Sequence, residues 1–231
     1  MIGVLANSGA VFILSLIGVY VGQRISDKVQ TQVMTALALC ASIMGIQMGM
    51  KADQFIVVIL SMALGTGIGA ALDIDGGLAR FGEKIDKRFE KAGTENGGPM
   101  TAAIQASLLF CVGAMAIVGS LQAGVSGNND TLLIKSVLDG LTALVMAAAL
   151  GIGVGFSALP LFIYQGTMVL FAHAIAPYIS DALVADLTSA GGIMVFAIGL
   201  GLFDIKKVPV ANMLPTFVVV IIARAIMGMF M

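Results

Sequence analysis

Tryptophan is absent from this chain, histidine occurs once, at His173, and cysteine twice. Charge is scarce as well: Asp, Glu, Lys and Arg make up 11% of 231 residues, against about 25% in a soluble domain. Each shortage excludes something. With a single histidine, and with Cys40 and Cys111 both inside apolar stretches, there is no clustered His/Cys set for a metal, and the cysteines read as small buried hydrophobes. HExxH, GxSxG and P-loop patterns are missing too, so no enzyme is expected. A formal net charge of −1 carries no nucleic-acid signal. The first 23 residues hold no Lys, Arg, Asp or Glu, so the basic region that opens a cleaved signal peptide is lacking. That stretch is expected to persist as a first membrane span, with the N-terminus outside.

What is present is apolar. Hydrophobic residues make up 59% of the chain, Gly contributes 29 residues, and the mean hydropathy is +1.04. No soluble packing hides that much apolar surface, so the lipid bilayer must be the solvent. The expected fold class is an all-α polytopic membrane protein of about eight transmembrane helices, at 3–22, 30–50, 54–72, 101–123, 133–152, 157–177, 184–203 and 210–230. Each supplies the roughly 20 apolar residues that a crossing needs. With the N-terminus outside, nine basic residues fall in inside loops, among them Arg24, Lys28, Arg80, Lys84, Lys206 and Lys207. Only Lys51 and Lys135 fall outside. Positive charge belongs on the cytoplasmic side, so eight spans with both termini outside a bacterial inner membrane is the expected topology.

Residues 73–99 hold eleven of the chain's Asp, Glu, Lys and Arg residues. Leu78, Phe81, Ile85 and Phe89 recur there at helical spacing, which predicts a cytoplasmic amphipathic helix followed by a flexible "GTENGGP" linker. A weak internal repeat is also legible. "ISDKVQ" begins at Ile25 and "ISDALV" at Ile179, and at the same offset Gly45 falls on Gly199. Spans one to three would then match spans six to eight. Five spans separate the copies, so the second is inverted, as in many secondary transporters. The expected organisation is a single membrane domain: 1–72 as the first three-helix repeat, 73–99 as the charged segment, 100–155 as central helices and 156–231 as the second repeat.

Small residues mark close packing. In the fourth span Ala102, Ala106, Leu109, Gly113, Ala116, Ser120 and Ala123 form a seam, and lipid rewards such close approach because it offers helices no hydrophobic drive to associate. Gly18/Gly22, Gly45/Gly49, Gly65/Gly69 and Gly151/Gly155 are further GxxxG pairs. Their faces suit either packing within one chain or a homodimer.

Polar residues inside the spans are the candidate site. In "KSVLDG" Lys135 and Asp139 stand four apart on one helix face and can pair. They are either an ion pair at the outer interface or a charge-handling site facing a cavity. "GIGVGFSALPLFIYQG" carries three glycines and Pro160, which predicts a break that is either a binding site or a tight hairpin. It brings Ser157, Tyr164 and Gln165. Asn7 on the first span, with Ser120 and Gln122 on the fourth, completes a hydrogen-bonding set. Gln122 is expected within reach of Lys135 and Asp139. Arg224 on the last span is expected either to reach outward to the interface or to pair with a carboxylate such as Asp139.

"LLFCVGAMAIVGSLQ", "KSVLDG", "GIGVGFSALPLFIYQG" and "GLFDIKKVPVANMLP", in that order, resemble the bacterial integral membrane family of unknown function that includes YqgA- and YdfK-like proteins. The resemblance runs over nearly the whole chain. It implies a bacterial inner-membrane protein of several spans and supplies no activity or site residue. From the residues alone, the leading expectation is a secondary transporter or permease for a small polar or ionic solute, with Na+ or H+ as a coupling ion and no other cofactor. The alternatives are a non-transporting scaffold or binding protein, and a passive channel.

Overall fold

The computed structural model describes residues 1–24, 26–77, 80, 99–111, 114–203, 205–206 and 208–230. Among these the regular structure is entirely helical: α1 Ile2–Gly22, α2 Asp27–Gly49, α3 Phe55–Ala71, α4 Pro99–Cys111, α5 Ala114–Val125, α6 Asp130–Leu150, α7 Gly153–Phe156, α8 Ala158–Leu170, α9 Ala172–Ile175, α10 Asp181–Leu202 and α11 Thr216–Phe230. Short 3-10 turns occupy Ala176–Tyr178 and Val210–Met213. Most of the predicted amphipathic helix at 73–99, with Phe81, Ile85 and Phe89, lies outside the described residues, as do Gly113 and Lys207.

Among the described residues five segments are long and apolar enough to cross a bilayer: Ile2–Gly22, Asp130–Leu150, Gly153–Leu170, Asp181–Leu202 and Val210–Met227. A sixth arises if α4 and α5 together make one crossing, though their axes differ by 62°. Where one straight fourth span is expected, there are thus two helices at an angle, a broken span or a re-entrant loop. The small-residue seam presupposes a straight rod, and a bend of this size carries Ala102 and Ala106 out of line with Ala116 and Ser120.

The outward faces suit lipid. On α6, Ile134, Val137, Leu138 and Leu141 are exposed, whereas Lys135, Ser136, Asp139, Gly140 and Ala143 are buried. A water-facing helix would be arranged the other way round. Cys40 also faces outward, not inward as its apolar surroundings suggest.

The chain forms two compact units. The first comprises Met1–Leu37 with Phe81–Tyr178, and the second Ala38–Arg80 with Ile179–Met231. In the first unit α1 and α6 run parallel in close contact. The Gly3 amide donates to Asn129 Oδ1 at 3.0 Å near the start of both. Further along, a side chain on Gly18 would overlap the Leu144 carbonyl, and one on Gly22 the Ala148 carbonyl. These two glycines set how near the helices lie. α4 and α5 run alongside α7 and α8 in the same sense: Gly153 abuts Pro99, and Gly124 abuts Val169. Gly151 ends α6 at φ 78° and ψ −163°, a conformation nearly closed to residues with a Cβ. The predicted break is thus a tight hairpin, and α7 starts two residues later. Pro160 falls in the first turn of α8, where its missing N–H costs nothing.

In the second unit the partners are antiparallel. Gly65 abuts Thr216 and Gly69 abuts Asn212, so α3 descends beside the Val210–Met213 turn and α11. Gly45 rests on the Phe196 backbone, Gly192 on Gly49, and Gly199 on Ser42, which pairs the C-terminal half of α2 with α10. Ser189 Oγ donates to the Gly49 carbonyl at 2.6 Å. Val58, Leu183, Ala190 and Val220 form the apolar core here.

Candidate functional site

The first unit is layered. Near the end where α1 and α6 begin, Val4, Ala123, Leu132 and Val169 pack into one apolar cluster. Farther along lies a larger cluster that includes Val11, Ala106, Phe110, Ala143, Met146, Val154 and Leu161. Between the two, each long helix turns polar at the same level. α1 places Asn7 after Val4 and before Val11. α6 places Lys135, Ser136 and Asp139 after Leu132 and before Ala143. α8 places Gln165 between Leu161 and Val169, and α5 places Ser120 one turn before Ala123. The coincidence of register follows from helical spacing: steps of three or four residues keep a layer on the inward face of each rod.

Hydrogen bonds tie this layer together. Lys135 Nζ lies 2.8 Å from both oxygens of the Asp139 carboxylate. Asn7 Nδ2 donates to Asp139 Oδ2 at 3.1 Å and to Gln165 Oε1 at 3.3 Å. Asn7 and Gln165 are fully buried, and Lys135 and Asp139 are 6% and 7% exposed. At 1.5 Å of rise per residue, Asn7 and Asp139 stand about 8 to 14 Å inside the starts of their helices. The ion pair is accordingly buried within the helix bundle of the first unit. Burial of two charges is tolerable here because they neutralise each other and Asn7 takes part of the remaining hydrogen-bonding demand.

Not every demand is met. Asn7 Oδ1, Gln165 Nε2 and Ser120 Oγ are buried without a protein hydrogen-bond partner. A buried polar atom left open costs free energy comparable to a lost hydrogen bond. The first two are an acceptor on Asn7, which bonds Asp139, and a donor on Gln165, which bonds Asn7.

Four of the sequence-predicted site residues, Asn7, Lys135, Asp139 and Gln165, are therefore brought together, with Ser120 at their level. Three are not joined to them. Gln122 is exposed, and its Oε1 accepts from Thr131 Oγ1 at 2.8 Å, so the expected reach to Lys135 and Asp139 is corrected. Ser157 Oγ donates to the Val154 carbonyl at 2.6 Å, spent on the α7–α8 junction. Tyr164 is half-buried on α8, beside Gln165 in sequence.

Sequence reasoning missed Asp186. It is fully buried on α10 and accepts from the backbone amides of Asp53 and Gln54, at 2.9 and 3.0 Å, just before α3 starts. Arg224 Nε donates to its other oxygen at 2.6 Å, and Arg224 Nη2 reaches Asp53 at 2.6 Å. The carboxylate partners of Arg224 are thus Asp186 and Asp53, not Asp139, and its side chain is only 14% exposed. The available signal was an acid inside one apolar span and a lone arginine inside another. Every described demand of Asp186 is met, so this cluster ties α3, α10 and α11 together. An apolar groove of about 400 Å³ in the same unit, lined by Gly45, Gly49, Met50, Phe55, Ile193 and Phe196, offers no polar side chain.

The chain is similar to two curated relatives. It is 31% identical to the "Uncharacterized membrane protein YdfK" of Bacillus subtilis (strain 168), over 95% of this chain and 93% of the relative. It is 30% identical to the "Uncharacterized protein YqgA" of Escherichia coli (strain K12), over 93% of this chain and 92% of the relative. No solved structure matches. A family model described as "Protein of unknown function (DUF554)" matches residues 2–225. With helices apolar enough to cross a bilayer and a relative named for the membrane, this chain is a membrane protein belonging to the DUF554 family.

Proposed function

We propose that this protein is a secondary transporter, or transporter-like permease, for a small polar or ionic solute. The observation that carries the reading is the polar layer of the first unit, with open hydrogen-bonding atoms on Asn7 and Gln165, held between two apolar clusters. A permanently sealed scaffold has no use for unpaired amides in its interior, whereas a solute site closed on both sides needs them. Coupling to Na+ or H+ is part of the proposal, with Asp139 as the carboxylate in that layer.

Two further features support it. Besides the five candidate crossings, and a sixth if α4 and α5 form one, Met34–Gly49 and Phe55–Ala71 are shorter apolar helices. Counting them yields the eight-span topology, with both termini outside a bacterial inner membrane and basic residues inside. The inverted repeat draws support from which helices meet. The repeat matches α1 to α8, the end of α2 to α10 and α3 to α11. Each of these pairs packs antiparallel, with Asn7 on Gln165, Gly45 on Phe196 and Gly65 on Thr216. The contacts Gly45–Phe196 and Ser42–Gly199 exchange with each other when the repeat offset is applied, as a two-fold axis in the membrane plane requires. α2 and α10 also begin at equivalent residues, Asp27 and Asp181.

The scaffold reading is weaker because the glycine faces are spent inside the chain: Gly18 and Gly22 on α6, Gly45 on α10, Gly65 on α11. A homodimer is proposed only through other surfaces, and catalysis is not proposed. Purified protein in liposomes tests the function. Gradient-driven uptake of at least one amino acid, organic acid or inorganic ion is expected. No flux from folded protein across a broad panel overturns it.

A further inference from the structure

The polar layer is balanced in charge and open in hydrogen bonding. Lys135 and Asp139 cancel each other, while Asn7 Oδ1 and Gln165 Nε2 wait for a donor and an acceptor. Charge balance restricts what this layer can take. A cation that claims Asp139 leaves the Lys135 ammonium buried with no counter-charge. An anion that claims Lys135 strands the Asp139 carboxylate in the same way. Stripping one member from a buried pair is far more costly than removing both together. A ligand carrying one charge of each sign avoids the penalty, because it exchanges one ion pair for two.

The open amide atoms have the senses that such a ligand needs. An acceptor stands on Asn7, whose Nδ2 already touches Asp139, so a ligand ammonium on the carboxylate finds Oδ1 close by. A donor stands on Gln165, and it matches a ligand carboxylate. The residues that flank the layer on α5 and α8, Ser120 and Gly166, are small and buried.

We propose that the layer formed by Asn7, Lys135, Asp139 and Gln165 binds a small zwitterionic solute of the α-amino-acid class, with its ammonium on Asp139 and Asn7 Oδ1 and its carboxylate on Lys135 and Gln165 Nε2. The inference rests on the transport reading above and deepens it by naming the substrate class. Ligand entry breaks the Lys135–Asp139 contact, and the flexible lysine stem makes the movement.

Equilibrium dialysis of radiolabelled glycine and alanine against the full chain in lipid nanodiscs tests it. Ethylammonium chloride and sodium acetate serve as competitors, each carrying half the ligand. Saturable binding of glycine or alanine is expected, with either half-ligand weaker by about tenfold or more. Asn7→Leu and Gln165→Leu should each weaken binding about tenfold. The double variant Lys135→Leu with Asp139→Leu removes the pair without stranding a charge, and should elute as folded protein while binding neither amino acid. Binding of acetate or ethylammonium as tight as alanine overturns the proposal, as does undiminished alanine binding by the double variant. If the wild type moves some other solute across liposomes yet binds neither amino acid, this inference fails and the transport reading stands. Saturable alanine binding without flux has the opposite meaning.

Discussion

One amide, that of Asn7, joins α1 to two other helices: its Nδ2 lies 3.1 Å from Asp139 Oδ2 and 3.3 Å from Gln165 Oε1. Replacing Asn7 by Leu keeps the branched shape but removes the donor from both acceptors. Loss of about 1–3 kcal/mol is expected, the usual penalty for buried polar atoms left unpaired. Asn7→Asp should be worse, since it sets a second carboxylate against Asp139. Unfolding midpoints of the two variants in one detergent, compared with the wild type, measure both effects.

Lys135 and Asp139 should show strong non-additivity. Asp139→Leu alone leaves a buried ammonium and is expected to cost about 3–5 kcal/mol. Adding Lys135→Leu to the same chain should recover most of that stability. A double variant no more stable than the single one would mean that the pair is not held in the interior.

The closeness of α1 to α6 depends on hydrogen atoms at two positions. Gly18→Val and Gly22→Val each push a side chain into a backbone carbonyl, of Leu144 and Ala148 respectively. Each should cost at least about 1–3 kcal/mol and reduce the yield of monodisperse protein. Gly9 has open space where its Cβ would be, so Gly9→Ala should be neutral or stabilise by up to about 1 kcal/mol through helix propensity. Size-exclusion profiles and thermal midpoints separate the two classes.

Asp186 both caps α3 and pairs with Arg224. Asp186→Leu should therefore be the most damaging polar substitution in the second unit, because it frees two backbone amides and leaves Arg224 only its contact with Asp53. Arg224→Lys should also destabilise, since a single ammonium cannot reproduce the separate Nε and Nη2 contacts to Asp186 and Asp53. Hydrogen exchange at the start of α3 reports both: it should rise in Asp186→Leu and rise less in Arg224→Lys.

Gln122 provides a control. Its bond to Thr131 is exposed, so Gln122→Ala should change stability by less than about 0.5 kcal/mol. It should leave amino-acid binding at the Asn7 layer unchanged. A large effect on binding would show that the site extends past Ala123 toward that surface.

Much of this protein follows from local information in its sequence. Composition alone requires a bilayer, since burying so many apolar side chains needs no partner but solvent. Each polar layer residue was also legible singly: Asn7, Lys135, Asp139 and Gln165 stand out because a polar group inside an apolar rod is expensive wherever the rod goes. Gly151 and Pro160 marked a helix break, as backbone preference is local too. Tertiary structure decided which of these residues meet. Gln122 looked adjacent to Lys135 and Asp139 because it precedes them closely in the chain, yet Thr131 takes it. Asn7, more than a hundred residues away, reaches Asp139 instead, since Gly18 and Gly22 let α1 lie directly along α6. For the same reason the sequence leaves Arg224 open between the interface and a carboxylate, and only the fold joins it to Asp186 and Asp53. Periodicity tells which face of a helix turns inward, but several inward faces are equally apolar. The choice among them rests on small differences in how closely two backbones can approach, and those exist only once the helices are side by side.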